Sequence, residues 1–399
     1  MDFVDTTLQR HHASNIQKFC LYTDRHMNAS RVCSWIENLG RCNVEDLSLY
    51  LDLDEDFFVP PSLFTSESLI KLELSAPSCD SCSMPIHLPN SFSCPKLKSL
   101  TLHQIQFTED KCWNDQHFSN CPLLEDLTLE DCTWANVGNF CISTPALKVL
   151  KFYAWDEYDN SLQDCALQIN APNLVSLTYF GRVSKDYVLS SFPKLESAEV
   201  LLCSYGVRRV KKIGYGAAAS KIFQALSHVQ CLEMHVESLQ ALPTVDDLVH
   251  ALPVYHNLER LILKEGLTTD NSLISLLKAV PNLRWLDFEE SCICIDENKE
   301  EEHEWAGHML TAGWMFQHLD SVSIGRFRGT AREMRWVKLI LKNAKTLKAV
   351  ILDLNSVDAI NREVHMAELL SLPRASDRFF DPHDLCIIDE LLNAKLSSA

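Results

Sequence analysis

The sequence predicts an α/β solenoid, a stack of short repeats that each add one strand to a parallel sheet. Three observations carry this prediction. A Leu-x-x-Leu-x-Leu pattern recurs about every 27 residues along the chain, within the range of leucine-rich repeats. Proline recurs two residues before the first leucine of many copies, and segments with helical spacing lie between others. We therefore expect a leucine-rich-repeat solenoid, with a curved parallel sheet on its concave face and helices or irregular segments on its convex face.

The recurring leucines have the spacing of short strands that bury one side. Alternate strand residues point to opposite faces, and one repeat cannot cover its own apolar row, so neighbouring repeats must stack. The clearest copies are Leu69-Leu72-Leu74, Leu97-Leu100-Leu102, Leu124-Leu127-Leu129, Leu258-Leu261-Leu263 and Leu283-Leu286-Phe288. Looser copies are Leu47-Leu49-Leu51, Leu147-Leu150-Phe152, Leu174-Leu177-Tyr179, Leu195-Ala198-Val200, Val229-Leu232-Met234, Leu319-Val322-Ile324 and Leu347-Val350-Leu352.

The prolines and the segments between the strands predict the remainder of each repeat. Proline has a fixed φ and no N–H, which suits a strand entrance, and it stands there at Pro95, Pro122, Pro145, Pro172, Pro193 and Pro281. Helical spacing in 218–229 and 271–279 predicts helices on the convex side. In 331–345, Met334, Val337 and Leu341 share one helical face. This helix is expected to cap the solenoid, and a partner-docking helix is the alternative.

Composition narrows the classes of partner. The chain has 54 acidic against 36 basic residues and a formal charge of −18, which disfavours nucleic acid and anionic lipid. Its polar first 17 residues do not resemble a secretory signal, and no apolar run is long enough to span a membrane. Sixteen scattered cysteines fit reduced thiols better than a disulfide scaffold. We expect a cytoplasmic or nuclear protein.

Several segments resemble one plant family. Residues 120–132 and 93–102 resemble the repeats of plant F-box/leucine-rich-repeat proteins, and Phe3-Val4-Asp5, Ile16-Gln17-Lys18-Phe19 and Val32-Cys33-Ser34-Trp35-Ile36 look like the segment that precedes those repeats. From Leu319 the chain is similar to their C-terminal FBD module, in register at Leu319, Val322, Ile324, Phe327, Gly329, Glu333, Val337, Leu341, Ala344 and Leu347. The predicted organisation is a linker or N-terminal cap at 1–40, repeats at 41–312, an FBD-like module at 313–385 and a tail at 386–399.

The resemblance implies a protein-binding function. In this family the F-box docks on the Skp adaptor of a cullin-RING ubiquitin ligase, while the repeats hold the target. The sequence shows no counterpart of the F-box, so the resemblance implies a scaffold that keeps the target-holding part. A Skp-type adaptor is then a partner only if an F-box lies upstream. The alternatives are a complete receptor whose F-box is missing from the gene model, and a paralogue that lost its adaptor contact.

Possible catalytic and metal motifs are weak. His303 and His308 flank a Glu but are five residues apart, which rotates them off a common helical face. Cys79 and Cys82 form one CxxC pair, without a second pair at matching distance. We expect a polar insertion between repeats in the first case and loop cysteines in the second, and we therefore predict no metal, no cofactor and no enzyme. The alternative is an enzyme or metal site in an insertion between repeats.

A glycine motif and the basic cluster before it are also interpreted as parts of loops without a binding role. Gly214-x-Gly216-x-x-Ala219 matches a permissive dinucleotide fingerprint, but it is preceded by Arg208, Arg209, Lys211 and Lys212 instead of a buried strand. We expect a loop that opens the helix at 218–229. The basic residues could contact phosphate or an acidic partner, although a solvated loop is favoured.

The strand residues that flank the central leucine are predicted to face the concave surface, where a protein target would bind. Exposed aromatic side chains and arginine dominate the energetics of protein interfaces. The predicted partner contacts are Tyr153, Phe180, Arg260 and Trp285, with Lys264, Asp287 and Glu289 as charged residues of the same surface. The alternative is that each is a partly buried strand residue without a contact role.

Overall fold

The computed structural model describes residues 16–76, 85–89, 92–108, 116–154, 161–203, 212–242, 251–266, 268–289, 315–354, 359–376 and 385–388, with isolated positions 4, 6 and 293. These residues belong to two compact units, Met1–Leu195 (unit 1) and Glu196–Ala399 (unit 2). The described helices include none with the length and hydropathy needed to cross a membrane.

Unit 1 is built mainly from strands. In chain order they are β1 Lys18–Tyr22, β2 Asp46–Tyr50, β3 Phe57–Phe58, β4 Lys71–Ser75, β5 Ile86–His87, β6 Ser99–His103, β7 Gln106–Thr108, β8 Asp126–Glu130, β9 Thr133–Ala135, β10 Asn139–Ser143, β11 Val149–Ala154, β12 Ala166–Asn170, β13 Ser176–Arg182 and β14 Asp186–Leu189. Helix α1 spans Ala29–Arg41 and the short α2 spans Gln116–Ser119. The large parallel sheet has the order β1-β2-β4-β6-β8-β11-β13.

Unit 2 alternates strands with helices. Its strands are β15 Ser197–Cys203, β16 Cys231–His235, β17 Arg260–Lys264, β18 Trp285–Phe288, β19 Ser321–Ile324, β20 Ala349–Asp353 and β21 Leu385–Ile388, paired in that order. Its helices are α3 Lys212–Ala225, α4 Asp270–Lys278, α5 Ala331–Asn343 and α6 Ala359–Ser371. The predicted fold class is therefore confirmed as an α/β leucine-rich-repeat solenoid, since the central apolar residue of every copy lies in a strand of these parallel sheets.

The leucines stack in register from repeat to repeat. Leu72 lies beside Leu47 in one neighbouring strand and beside Leu100 in the other, and all three are fully buried. Leu74 stacks in the same way between Leu49 and Leu102. Each repeat thus covers the apolar row that its neighbour could not cover alone.

A tight turn brings each leucine row into the core. The amide of Leu97 donates to the carbonyl of Cys94 at 3.2 Å, across a turn whose second residue is Pro95. Proline is favoured at that position because its φ is already fixed at the required value. The same bond recurs at Leu124, Leu147, Leu174 and Leu195, so the predicted proline corners are confirmed as turns.

On the side of unit 1 where helices or irregular segments were expected, the structure has short strands instead. These short strands are parallel and form the small sheets β3-β5, β7-β9 and β10-β12-β14. Buried aromatic rings fill the space beneath them. Trp134 is stacked between Phe107 at 5.7 Å and Phe152 at 5.1 Å, and Phe152 stacks in turn on Tyr179 at 5.1 Å. Strands replace helices here because alternating residues such as Phe140 and Ile142 supply an apolar row at strand spacing.

A buried polar network joins two helices of unit 2. Asp270, the first residue of α4, accepts hydrogen bonds from Arg332 Nε at 2.7 Å and from Trp336 Nε1 at 2.9 Å, both in α5. Arg332 also donates to the carbonyl of Thr268 at 2.8 Å. Asp270, Arg332 and Trp336 are buried, so the network attaches helix α5 to the repeat that contains α4.

Helix α5 begins at a capping box. The Thr330 hydroxyl accepts from the Glu333 amide, and the Glu333 carboxylate accepts from the Thr330 amide at 2.8 Å. The preceding Gly329 has φ +72°, and a Cβ there would collide with the His365 ring of α6. The predicted helix at 331–345 is confirmed, with Met334, Val337 and Leu341 buried.

Two details differ from expectation, and four segments lie outside the described residues. Gly214 and Gly216 are inside helix α3, so the predicted loop before the helix is wrong, because the small residues after Lys212 continue the helix instead of breaking it. Strand β1 was not predicted, since only Phe19 and Leu21 mark it. Residues 1–3, the cysteine pair at 79–82, the basic residues 208–211 and the histidines at 303 and 308 are outside the described part of the chain.

We expect Phe152→Ala to lower the free energy of unfolding by about 3–5 kcal/mol, since it removes a fully buried ring and leaves a cavity between Trp134 and Tyr179. Urea denaturation followed by circular dichroism measures this loss. Val188→Ala is the control, because Val188 is 54% exposed and should change stability little. Equal losses in the two variants would contradict the aromatic core described for unit 1.

We expect Asp270→Asn to destabilise unit 2 by about 3–5 kcal/mol, because it leaves the buried Arg332 guanidinium without its carboxylate. Lys338→Ala is the matched control, since its ion pair with Glu368 is exposed on the same helix and should contribute no more than about 1 kcal/mol. Thermal unfolding measures both effects. A Tm for Asp270→Asn that equals that of Lys338→Ala would refute the role of the network.

Candidate protein-binding face

Each large-sheet strand presents one row of side chains to the core and one row away from it. In β6, Leu100 and Leu102 are fully buried, while Ser99, Thr101 and His103 are half-buried. We call the second set of side chains, taken over the strands of one unit, the open face of that unit. All seven predicted contact residues lie on a strand or at its end, two in unit 1 and five in unit 2.

In unit 1, Tyr153 and Phe180 are neighbours on β11 and β13. They are paired in register, and their rings meet edge to face at 5.4 Å. Phe180 is only 9% exposed, so the expectation of an exposed aromatic is wrong for this residue. The Tyr153 ring packs against the Phe180 ring, and strand alternation alone could not predict this burial.

A second aromatic pair in unit 1 was missed. Tyr22 and Tyr50 stack face to face at 4.4 Å, and Tyr22 is 66% exposed. The Tyr50 hydroxyl donates to Glu73 at 2.7 Å, and this hydrogen bond to a carboxylate raises the pKa of Tyr50 above its usual value. The signal in the sequence is a tyrosine at the last position of two successive strands.

In unit 2, four predicted contact residues lie close to one another. Arg260 on β17 makes an ion pair with Asp287 on β18, with its Nη2 at 2.9 Å from the carboxylate. Trp285 is 37% exposed at the start of β18, and the Arg284 guanidinium lies 4.7 Å from its ring centre. Glu289, the residue after β18, is exposed. These side chains combine an exposed indole with a fixed arginine.

Lys264 is bound by two carboxylates of neighbouring strands. Its Nζ contacts Glu199 on β15 and lies 3.0 Å from Glu233 on β16. Burial alone would lower the pKa of Lys264, but the hydrogen bonds to both glutamates outweigh it and raise the pKa above its usual value. The pKa of the neighbouring His235 is lowered, mainly by burial and to a smaller extent by the positive charge of Lys264. Lys264 is therefore a charged residue that already has partners.

A polar groove at the strand entrances of unit 2 was also missed. It has a volume of about 660 Å³ and is lined by Gln230, His256, Asn257, Glu259, Asn282, Arg284, His318, Asp320 and Thr346. Asp320 lies 2.8 Å from both Arg284 and Lys348. The residues just before strands β17, β18, β19 and β20 alternate in charge: they are Glu259, Arg284, Asp320 and Lys348. This pattern becomes visible when the repeats are aligned.

Described cysteines in the core are unsuited to nucleophilic or redox chemistry. Burial raises the pKa of the Cys94, Cys132 and Cys165 thiols to about 12, whereas reactive cysteines have lowered pKa values. Cys132 Sγ instead lies 3.5 Å from the Leu102 carbonyl of the preceding repeat. These thiols fill repeat corners.

We expect iodoacetamide to alkylate the exposed Cys20 at pH 8 while Cys94, Cys132 and Cys165 react at least about a hundredfold more slowly, since only the thiolate attacks. Peptide mass spectrometry of the native and urea-unfolded chain measures the rates. Alkylation of the three buried thiols at the rate of Cys20 in the native chain would overturn this assignment.

Two family models match the chain. Residues 32–201 match the model described as "FBD-associated F-box protein At5g56370, LRR repeats". Residues 315–352 match the model described as "FBD". The second match contains strands β19 and β20 and helix α5, which is the helix attached to the repeats through Asp270.

Curated proteins of Arabidopsis thaliana are similar over most of the chain. F-box/LRR-repeat protein At4g14103 is 29% identical over 75% of this chain and 81% of its own length. F-box/LRR-repeat protein At4g14096 is 29% identical over 75% of this chain and 64% of its own length. Putative F-box/FBD/LRR-repeat protein At3g59240 is 30% identical over 72% of this chain and 56% of its own length. The chain thus spans less than two thirds of the second and third relatives. By its repeats at 32–201 and its FBD region at 315–352, the chain is similar to the FBD-type plant F-box/leucine-rich-repeat proteins.

Proposed function

We propose that this chain binds a protein target through its open faces and serves as the target-holding part of an F-box-type ubiquitin-ligase receptor. The observation that carries the proposal is the cluster of Trp285, Arg260, Arg284 and Asp287 on unit 2. Tryptophan and arginine are the residue types most enriched at the energetic centres of protein interfaces. We infer that Trp285 is the anchor of the contact.

The backbone that carries these side chains supports such a role. Trp285 is paired in register with Arg260 on one side and with Ser321 on the other. Parallel hydrogen bonds hold all three backbones, so binding orders little further chain, which lowers its entropic cost. The ion pair of Arg260 with Asp287 also fixes the arginine beside the indole.

Charge indicates the chemistry of the target. The described open face of unit 2 carries the carboxylates of Glu199, Glu233, Asp287 and Glu289 against the cations Arg260 and Lys264. The whole chain is acidic as well, at −18. A target segment rich in lysine or arginine would therefore be attracted, with an association rate that falls as salt rises.

The ligase part of the proposal rests on the names of the relatives, which identify them as F-box proteins. In this proposal the repeats hold the target without catalysing a reaction, and an F-box upstream of the repeats would supply the contact with a Skp-type adaptor. The protein would act inside the cell, in the cytoplasm or the nucleus. Cys20, Cys94, Cys121, Cys132 and Cys165 are free thiols, which agrees with a reducing compartment.

Affinity capture with the full chain tests the open-face contact. We expect the immobilised chain to retain a saturable partner from a plant lysate, and Trp285→Ala with Arg260→Ala to weaken retention of that same partner by at least about tenfold, because hot-spot truncations each cost about 2 kcal/mol or more. Raising the salt concentration should weaken it further.

Val188→Ala and Val254→Ala are the controls, because both valines are more than half exposed but lie outside the large-sheet strands. They should leave retention unchanged. If the Trp285 and Arg260 variant retains the partner as strongly as the controls do, the binding face is elsewhere. The ligase role is tested separately by the reading frame upstream of the first codon, since the lack of an F-box there would remove the adaptor contact.

A further inference from the structure

One imidazole and two carboxylates meet at the ends of two neighbouring strands in unit 1. His103 is the last residue of β6, Glu130 is the last residue of β8, and Asp131 follows it. One ligand atom of each lies within 4.8 Å of those of the other two, and all three residues are half-buried. We propose that His103, Glu130 and Asp131 bind a divalent cation of the zinc class. This inference does not depend on the proposed protein-binding function.

The histidine is oriented as a metal ligand. His103 Nδ1 lies 3.2 Å from the Ala76 carbonyl and 2.9 Å from the Ser75 hydroxyl. A carbonyl only accepts hydrogen bonds, so Nδ1 carries a proton when it donates there and Nε2 keeps its lone pair. Histidine ligands in metal sites typically donate their other ring N–H to a carbonyl in this way.

The distance across the cluster also suits an ion. His103 Nε2 lies 3.9 Å from Asp131 Oδ2, which is too long for a hydrogen bond. Zinc lies about 2.1 Å from both nitrogen and oxygen ligands, so one ion bridges these two atoms. A Glu130 carboxylate oxygen completes the cluster, since it lies within 4.8 Å of the ligand atoms of His103 and Asp131.

The turn after β8 explains how two consecutive carboxylates reach one histidine. Consecutive strand residues normally point to opposite faces, but Asp131 has φ +49°, which ends the alternation. The backbone at this turn is held on both sides, because the Gln104 amide donates to the Glu130 carbonyl at 2.8 Å and the Asp131 amide donates to the Tyr153 carbonyl at 2.7 Å. The backbone that carries Glu130 and Asp131 is therefore fixed before any ion binds.

Charge and ligand type select the ion. With a neutral His103, the two carboxylates place a charge of −2 within a few ångströms, and like charges so close disfavour each other. A divalent cation removes this repulsion. Calcium and magnesium take oxygen ligands, whereas an imidazole with carboxylates suits zinc. Three protein ligands leave one position open for water or a ligand from outside.

Residue-resolved protection of His103 tests the site in the full chain. The chain is stripped with a chelator and dialysed, Zn²⁺ is added, and modification by diethylpyrocarbonate is read on the peptide that contains His103. We expect Zn²⁺ to slow the modification of His103 but not of His228, which lies outside the cluster, and Mg²⁺ to have no effect. The zinc concentration for half protection should rise at least about tenfold in Asp131→Asn and in Glu130→Gln.

Asp126→Asn is the matched control, since Asp126 is an exposed carboxylate at the start of the same strand β8. Asp126→Asn should respond to zinc as the chain without substitutions does. Circular dichroism should show that all three variants are folded. Unchanged modification of His103 at saturating Zn²⁺ would mean that the cluster is only a histidine–aspartate ion pair. Zinc protection of His103 that is equal in Asp131→Asn, in Glu130→Gln and in the chain without substitutions would also refute the site. Protection by Mg²⁺ equal to that by Zn²⁺ would refute the zinc class.

Discussion

A row of leucines that no single repeat can cover is the constraint on which the rest of this structure depends. Leu72 and Leu74 are buried only because Leu47, Leu49, Leu100 and Leu102 lie beside them in register. A slip of one residue would turn each leucine to the opposite side. The same register therefore decides which side chains form the open face, so the packing of the core and the composition of the binding surface are consequences of one alignment.

The two units satisfy this constraint with different partners on the side opposite the open face. Unit 1 covers its core with short strands and with a stack of rings that includes Trp134, Phe152 and Tyr179. Unit 2 uses helices and adds the buried network of Asp270 with Arg332 and Trp336. A buried ion pair contributes little net stability, yet the loss of one member is costly, so this network chiefly fixes where α5 lies on its repeat.

Spacing along the sequence predicted the strands well, because leucines at strand period demand burial wherever they occur. The prolines predicted the turns for a similar local reason. The remaining features depend on neighbours that spacing cannot reveal. Phe180 is covered although alternation turns it outward, the helix of Gly214 and Gly216 has no local stop signal, and the ion pairs of Asp320 join residues that are about one repeat apart. Of the candidate site, the sequence predicted which residues share a face but not which of them are exposed.

Hydroxyl-radical footprinting of the full chain, alone and with its captured target, measures side-chain exposure and binding together. In the free chain, Trp285 should be oxidised much faster than the buried Trp134 and Trp336. The target should then protect Trp285 and leave the exposed Phe58 and Val188 unchanged, because these two residues belong to the small sheets of unit 1. Protection confined to Phe58 and Val188, with Trp285 as reactive as before, would contradict the claim that the side chains alternating with the leucine rows form the binding surface.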